Sequence, residues 1–204
     1  MSRDELKELA AAICQSAIRK VNYAPPAAEF CLAIIERYER VEREVGEAFL
    51  ENLLLLCREL FNSRDKVLRH QPTIRSRRWV AYVTFLAELL RGLSDAQVRM
   101  MEKSCRGAVS TAKAKSMLVL STLLCVSCHA ILPPTPVYNP TEMDCLRTAL
   151  TTAGAALERE APERLAALMR VVETVLEIPD LPIRSRRVLQ DVMALKASNW
   201  QPSP

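Results

Sequence analysis

Apolar residues recur every three or four positions through almost the whole chain, and proline-marked turns separate one stretch from the next. Leu6, Leu9 and Ile13 form one such row, and Pro162 opens another that contains Leu165. This spacing is typical of helices that bury one face. The chain of 204 residues has only four glycines, which is too few for an all-β fold. We therefore predict an all-α protein of eight or nine helices joined by short turns.

The five residues Ile-Arg-Ser-Arg-Arg occur twice, at 74–78 and again 109 residues later at 183–187. Each copy closely follows a proline and runs into an apolar stretch, which predicts two helix starts rich in arginine. The separation is close to three times the period of a two-helix repeat. We therefore predict that helix pairs stack into a right-handed α-solenoid, and an irregular helical bundle is the alternative.

Local patterns place several helix boundaries. Asn139-Pro140 combines an N-cap residue with proline at the first helical position, which predicts a helix start. A third helix is predicted to begin near Glu44 and a fourth near Pro72, whereas the apolar pattern weakens between residues 94 and 115. The second helix presents large apolar residues at helical spacing, namely Phe30, Ile34, Tyr38 and Val41.

The cysteines indicate the redox state of the cellular compartment, and the least charged stretch indicates whether the chain crosses a membrane. Seven cysteines at irregular spacing, in a chain that begins without an apolar leader, favour a reducing compartment and buried free thiols. The least charged stretch, residues 116–132, is shorter than the roughly 20 apolar residues that span a membrane. We therefore interpret it as a core helix and expect no membrane partner. The expected location is the cytoplasm, with the nucleus as a second compartment.

Catalytic and metal-binding patterns are weak. Cys125-Val126-Ser127-Cys128-His129 matches the C-x-x-C-H pattern of haem attachment, but it lies inside an apolar helix and no export signal accompanies it. No second Cys/His pair stands at a spacing that would complete a zinc site. Nucleophile-elbow, P-loop and dinucleotide-binding patterns are missing from the sequence as well. We therefore expect no enzyme activity, no cofactor and no metal.

The densest basic region of the chain runs from residue 64 to residue 78. Its basic side chains, accompanied by the single acid Asp65, are Arg64, Lys66, Arg69, Arg75, Arg77 and Arg78. A turn between basic helix ends is suited to RNA phosphates or to an acidic protein surface. We predict that these six residues form a contact surface. The alternative is a solvated rim whose arginines pack through their stems.

The two arginine copies differ in their local acids. Asp180 precedes Arg184 by four residues and Asp191 follows Arg187 by four, so the second copy has candidate helical ion pairs. No acid stands three or four residues from the arginines of the first copy, 74–78. We therefore predict that the second copy is structural and that the first meets a partner.

Three stretches resemble one known family. They are 79–89 (Trp-Val-Ala-Tyr-Val-Thr-Phe-Leu-Ala-Glu-Leu), the helix from Asn139 that carries Gly154 and Glu158, and the closing segment that ends at Trp200. Together they look like the middle domain of eukaryotic initiation factor 4G, and more closely like its small single-domain adaptors. Those adaptors include the poly(A)-binding-protein-interacting adaptor, the histone-mRNA stem-loop-binding-protein interactor and the cap-binding-complex-dependent translation factor.

The resemblance implies one domain over residues 1–204, built as an α-solenoid of about five HEAT-like antiparallel helix pairs. The segment at about 94–115 departs from the family pattern, because it is longer than the link expected before the apolar helix of the third repeat, and it is either an extra helix or a loop. It also implies a non-enzymatic adaptor in translation initiation or its regulation. The implied partners are initiation factors, a DEAD-box helicase or an mRNA-binding protein, and some relatives form homodimers. The alternative is a helical-repeat protein that contacts RNA directly through residues 64–78. The motifs outside the domain that bind poly(A)-binding protein are not found in this sequence, so we do not predict that partnership.

Overall fold

The structure of the protein is a computed structural model that describes residues 3–64, 72–103, 111–132 and 139–201. These residues form eight α-helices and one 3₁₀ turn, and none of them is in a strand. The helices are α1 (Arg3–Ala17), α2 (Ala24–Val41), α3 (Arg43–Asn62), α4 (Pro72–Lys103), α5 (Thr111–His129), α6 (Pro140–Glu160), α7 (Pro162–Leu176) and α8 (Ile183–Ala197). The 3₁₀ turn, Val21–Tyr23, lies between α1 and α2.

The helices form two layers that follow the order of the chain. In one layer α1, α3, α5 and α7 each pack against the next odd-numbered helix, and in the other α2, α4, α6 and α8 do the same. A solenoid has this organisation, because each helix meets only its sequence neighbours and the corresponding helices of the adjoining repeats. The predicted all-α solenoid of packed helix pairs is therefore confirmed.

The solenoid buries a continuous apolar core centred on α4 and α5. The largest fully buried side chains of α4 are Tyr82, Phe85, Leu86, Leu89, Leu90 and Leu93. Helix α5 is long and apolar enough to cross a membrane by length and composition, but core helices pass the same test. It packs against α3, α4, α6 and α7 and buries Leu120, Leu124 and Cys128.

Helix α2 turns a different face to the core from the one that the large residues predict. Phe30 and Val41 are 54% and 76% exposed, whereas the buried residues are Ala24, Ala28, Cys31 and Ile35. Gly92 of α4 leaves room for Leu32 of α2, because a Cβ at Gly92 would lie 2.1 Å from Leu32 Cδ1. The two helices therefore approach closely at this point, and the small residues of α2 are buried.

The weakly patterned segment 94–115 contributes to two helices. Residues 94–103 continue α4, and residues 111–115 open α5, while 104–110 lie outside the described residues. Ser94 is fully buried and donates a hydrogen bond to Glu160 of α6 (3.1 Å). Arg159 of α6 donates to the same hydroxyl oxygen (2.9 Å). This end of α4 is thus fixed by polar contacts with the end of α6, where apolar periodicity is weak.

Asn139 caps α6 as the sequence predicts. Its Oδ1 accepts hydrogen bonds from the backbone N–H groups of Thr141 (2.9 Å) and Glu142 (3.4 Å), and Pro140 occupies the first helical position. The side chain therefore satisfies backbone donors that have no partner within the helix.

Replacing Asn139 with alanine is expected to lower the free energy of unfolding by about 1 kcal/mol, because the exposed donors lose their acceptor. Thermal unfolding followed by circular dichroism would then show a melting temperature lower by about 2–4 °C. Asn139→Asp keeps the acceptor oxygen and serves as the control, with stability close to that of the unchanged chain. Equal melting of the alanine variant and the unchanged chain would show that the cap contributes nothing.

The chain closes on a Schellman motif at the end of α8. Asn199 has a left-handed backbone (φ 55°), its N–H donates to Lys196 O (3.1 Å), and Trp200 N–H donates to Leu195 O (2.7 Å). Trp200 also has positive φ (64°), an uncommon conformation for a bulky residue. The motif turns the chain so that the indole packs back onto the solenoid.

The indole of Trp200 packs on Gly154 of α6. A Cβ at Gly154 would lie 2.0 Å from the ring atom Cε3, and the indole N–H donates to Glu158 Oε2 (2.6 Å). The three residues that carry part of the family resemblance, Gly154, Glu158 and Trp200, thus form one contact.

Candidate functional site

The six predicted contact residues have different positions in the structure. Lys66 and Arg69 lie outside the described residues, and of Arg75 only the backbone, in α4, is described. Arg77 is exposed and Arg78 is half-buried, both in the second turn of α4.

Arg64 packs on a neighbouring ring. Its guanidinium lies over the ring of Phe61, with its carbon 4.5 Å from the ring centroid, and Nη1 donates to Phe61 O (3.2 Å). A cation over an aromatic face is attracted by the electron density of the ring. Arg64 therefore packs through its stem and plane, as the solvated-rim alternative proposes for this region.

A row of aromatic rings connects Arg64 to the core. Phe61 lies 6.2 Å from Trp79, and Trp79 stacks on Tyr82 at 5.5 Å between ring centroids. The Tyr82 hydroxyl donates to Cys57 O of α3 (2.9 Å), and burial raises the pKa of Tyr82 well above its usual value. These contacts join α3 to α4 immediately beside Arg78, so the backbone that carries Arg77 and Arg78 has a rigid support.

Arg77 and Arg78 line an open groove together with residues that follow the end of α1. The groove has a volume of about 860 Å³, and its lining residues are Arg19, Lys20, Val21, Asn22, Tyr23, Arg77 and Arg78. The 3₁₀ turn packs directly on α4, which brings the end of α1 beside the start of α4. We call this the turn groove.

Four basic side chains surround the turn groove. Within the described parts of the chain, no carboxylate lies within 4.0 Å of Arg19, Lys20, Arg77 or Arg78. The N-terminal end of α4 adds the positive pole of a helix dipole. Among the described residues these four cations therefore have no salt-bridge partner, and their charge attracts anionic groups.

Tyr23 gives the turn groove an accessible aromatic wall. Its side chain is 44% exposed, and Lys20 Nζ lies 5.7 Å from the ring centroid. Sequence reasoning missed Arg19, Lys20, Asn22 and Tyr23. The basic pair at 19–20 beside a tyrosine was visible in the sequence, but its proximity to Arg77 follows only from the packing of the turn on α4.

The second arginine copy is held by structural contacts, although the predicted ion pairs are wrong. Arg184 pairs with Asp144 of α6 in place of Asp180, because Asp180 precedes the start of α8 and is out of helical register. Asp191 pairs with Arg147 of α6 (3.5 Å), not with Arg187.

Arg186 ties α8 to the end of α7. Its guanidinium donates to the carbonyl oxygens of Leu176 (2.8 Å) and Ile178 (2.8 Å). Carbonyls at a helix C-terminus have no partner within the helix, and an arginine satisfies them well. The arginines of the second copy therefore have structural contacts, whereas Arg77 and Arg78 of the first copy face an open groove.

The six described cysteines are free and buried, as the sequence predicts. Cys125 and Cys128 lie in the core helix α5, while His129 at its end is exposed. Burial raises the pKa of Cys125 to about 11 and that of Cys128 well above its usual value. Among the residues with described positions, no group of three or more His, Cys, Asp and Glu side chains could hold a metal ion.

The buried thiols are expected to resist alkylation. The thiolate is the reactive form, so a pKa of about 11 in place of 9.0 lowers the reactive fraction of Cys125 roughly 100-fold at pH 8. Iodoacetamide labelling mapped by mass spectrometry should modify Cys125 at least that much more slowly in the native chain than in urea. Between pH 9 and pH 11 the unfolded chain releases the Cys125 proton that the folded chain keeps. The contribution of this thiol to the free energy of unfolding is therefore complete below pH 9 and is lost as the pH rises towards 11. Equal labelling rates in native buffer and in urea would contradict the buried position of this thiol.

Comparison with known proteins identifies the family. A profile of the MIF4G domain matches residues 1–199 of the chain. The chain belongs to the MIF4G-domain family. This confirms the resemblance drawn from the three stretches of sequence, and the solenoid agrees with it. That residues 1–204 form a single domain stays a prediction.

One curated relative shows how this MIF4G chain compares with a longer protein. The chain is similar to the CBP80/20-dependent translation initiation factor of Xenopus tropicalis, with 23% identity over 205 residues. The alignment covers 98% of this chain but only 30% of the relative. The chain thus spans less than a third of the length of that relative.

Proposed function

We propose that this MIF4G-domain chain is a non-enzymatic adaptor in translation initiation or its regulation. The observation that carries the proposal is the family match, which extends over residues 1–199. The Xenopus relative is a translation initiation factor by name, which supports the same process. A two-layer solenoid also suits an adaptor, because stacked repeats present extended surfaces to partners.

The partners that we propose are an initiation factor, a DEAD-box helicase or an mRNA-binding protein, each docked on helix faces and connecting turns. The cytoplasm is the proposed location, with the nucleus as a second compartment. A homodimer is proposed as a further state, and its test is the mass of the purified chain by light scattering. A mass equal to that of one chain at micromolar concentration would exclude the dimer.

A tethered reporter tests the adaptor function. The chain is fused to a phage coat protein that binds hairpins placed in the 3′ untranslated region of a reporter mRNA. We expect more reporter protein per mRNA molecule than with the coat protein alone, and a shift of the mRNA to heavier polysomes. The matched control is a fusion that carries the destabilising change Trp200→Ala. Unchanged protein yield per mRNA in cells that express the fusion would contradict the proposal.

A further inference from the structure

A second groove lies between α2 and the C-terminal half of α4. Its lining residues lie between Leu32 and Arg40 on α2 and between Arg91 and Met100 on α4, and its volume is about 370 Å³. At a rise of about 1.5 Å per residue, each wall is about 12–14 Å long, which is slightly more than two helical turns. We call this groove the α2–α4 cleft.

The base of the α2–α4 cleft is apolar. Ile35 of α2 and Leu93 of α4 are buried there, whereas Met100 of α4 is 54% exposed where the α4 wall ends. The thioether of methionine is flexible and polarizable, so it adapts to apolar partners of different shape. A volume of about 370 Å³ would hold about 12 water molecules. The cleft is therefore suited to a few apolar side chains of a partner.

The rim of the α2–α4 cleft is charged, and one of its cations has no counter-charge. The ion pairs in which both members line the cleft are Arg40–Glu36, Arg91–Asp95 and Lys113–Glu39. Arg99 also lines the cleft and is exposed, and in the described ranges no carboxylate lies within 4.0 Å of it. An acidic side chain of a partner would complete the charges of this rim.

We propose that the α2–α4 cleft binds an amphipathic helix of a partner protein, with two or three apolar side chains at its base and an acidic side chain at Arg99. Apolar residues at positions i, i+4 and i+7 of such a helix cover about 10 Å, which matches the length of the walls. The proposal rests on the proposed adaptor function only because it assigns the cleft to a protein. The binding itself depends on the residues of the cleft.

A helix fits the α2–α4 cleft better than an extended segment or a nucleic acid. An extended segment binds through main-chain hydrogen bonds to the edge of a sheet, and both walls of the cleft are helices whose backbone groups bond internally. A helix satisfies its own backbone and needs only side-chain contacts. A nucleic acid is held by several cations that have no other partner, and the rim of this cleft offers only Arg99.

The test is fluorescence anisotropy with a labelled helical peptide of alanine and glutamine, titrated with the full chain. The peptide carries leucine at positions i, i+4 and i+7 and two glutamates beside this stripe. The charge-reversed peptide has lysine in place of both glutamates. We expect the acidic peptide to bind about fivefold more tightly than the charge-reversed peptide, because only the acidic one can pair with Arg99.

Neighbouring side chains provide matched controls. Met101 of α4 is 60% exposed and Arg37 of α2 is exposed, and neither lines the cleft. Met100→Ala should weaken binding of the acidic peptide about tenfold and Arg99→Gln about threefold, whereas Met101→Ala and Arg37→Gln should each stay within about twofold. Arg99→Glu should reverse the preference, so that the charge-reversed peptide binds more tightly. Melting curves of every variant confirm that it is folded.

The tethered reporter separates this proposal from the adaptor function. A fusion with Met100→Ala/Arg99→Gln should lose most of the gain in reporter protein, and a fusion with Met101→Ala/Arg37→Gln should keep it. A gain with the unchanged chain and equal yields from these two variants would overturn the cleft and leave the adaptor function standing. Peptide binding with the expected pattern in a chain that gives no gain would contradict the adaptor function and leave the cleft standing.

Three further outcomes would overturn the proposal. The acidic peptide could fail to bind at millimolar chain concentration, or Met100→Ala and Met101→Ala could weaken binding equally. Single-stranded RNA that displaces the peptide from the unchanged chain but not from Met100→Ala would assign the cleft to a nucleic acid. A dimer that light scattering detects and that Met100→Ala dissociates would assign the cleft to a second copy of this chain.

Discussion

Replacing Trp200 with alanine is expected to lower the free energy of unfolding by about 3 kcal/mol, one of the largest effects of any single change in this chain. The indole is 94% buried against α6, since only 6% of the residue is exposed, and its N–H donates to Glu158. Alanine would lose both contacts and leave a cavity over Gly154. Urea unfolding followed by circular dichroism measures the loss, and the melting temperature should fall by about 6–12 °C.

Two glycine substitutions test the same contact from the other side. Gly154→Ala places a Cβ 2.0 Å from the rigid indole ring, whereas Gly92→Ala places one 2.1 Å from the flexible end of Leu32. Both changes gain about 1 kcal/mol of helix propensity. We expect Gly92→Ala to stay within about 1 kcal/mol of the unchanged chain, and Gly154→Ala to be about 2 kcal/mol less stable. Equal free energies of unfolding for the two variants would show that the indole does not pack tightly on Gly154 of α6.

Replacing Glu39 with alanine is expected to cost about 2 kcal/mol, because it leaves the Lys113 ammonium buried without a counter-charge. Lys113 Nζ of α5 lies 2.6 Å from Glu39 Oε1 of α2, and the two side chains are 10% and 24% exposed. The pair crosses between the two layers of the solenoid. The partial exposure of Glu39 keeps the expected loss below that of a fully buried pair.

A double-mutant cycle separates the lost pair from other effects of the substitution. Lys113→Met removes the charge and keeps the length of the side chain, so Glu39→Ala/Lys113→Met should recover most of the stability. The control is Glu36→Ala, which breaks the exposed pair with Arg40 on the same helix and should change stability by less than about 0.5 kcal/mol. Equal losses for Glu36→Ala and Glu39→Ala, or no recovery in the double variant, would contradict the role of the pair.

The local features of the fold follow from the sequence because their causes are local. Asn139-Pro140 starts α6 through its own side chain and ring, and the proline before each arginine copy marks the start of α4 or α8. The face of α2 could not be predicted in this way. It depends on the packing of α2 against α4, where Gly92 lies about 60 residues further along the chain and leaves room for Leu32.

The candidate site could be predicted only in part. Arg77 and Arg78 are identified by their missing local acids, and the structure places both in the turn groove. The remaining residues of the groove come from the end of α1 and the 3₁₀ turn, and only tertiary packing brings them there. The same limit explains the wrong partners of the second copy. Arg184 and Asp191 pair with α6, although acids and bases at helical spacing stand nearer in the sequence.

The most direct test of the adaptor function is an affinity purification of the tagged chain from cell extract, carried out with and without nuclease. The unchanged chain should retain initiation factors, a DEAD-box helicase or an mRNA-binding protein after nuclease treatment, because those proteins dock on the solenoid itself. The loss of all such proteins after nuclease treatment, or their absence both with and without nuclease, would contradict the adaptor function.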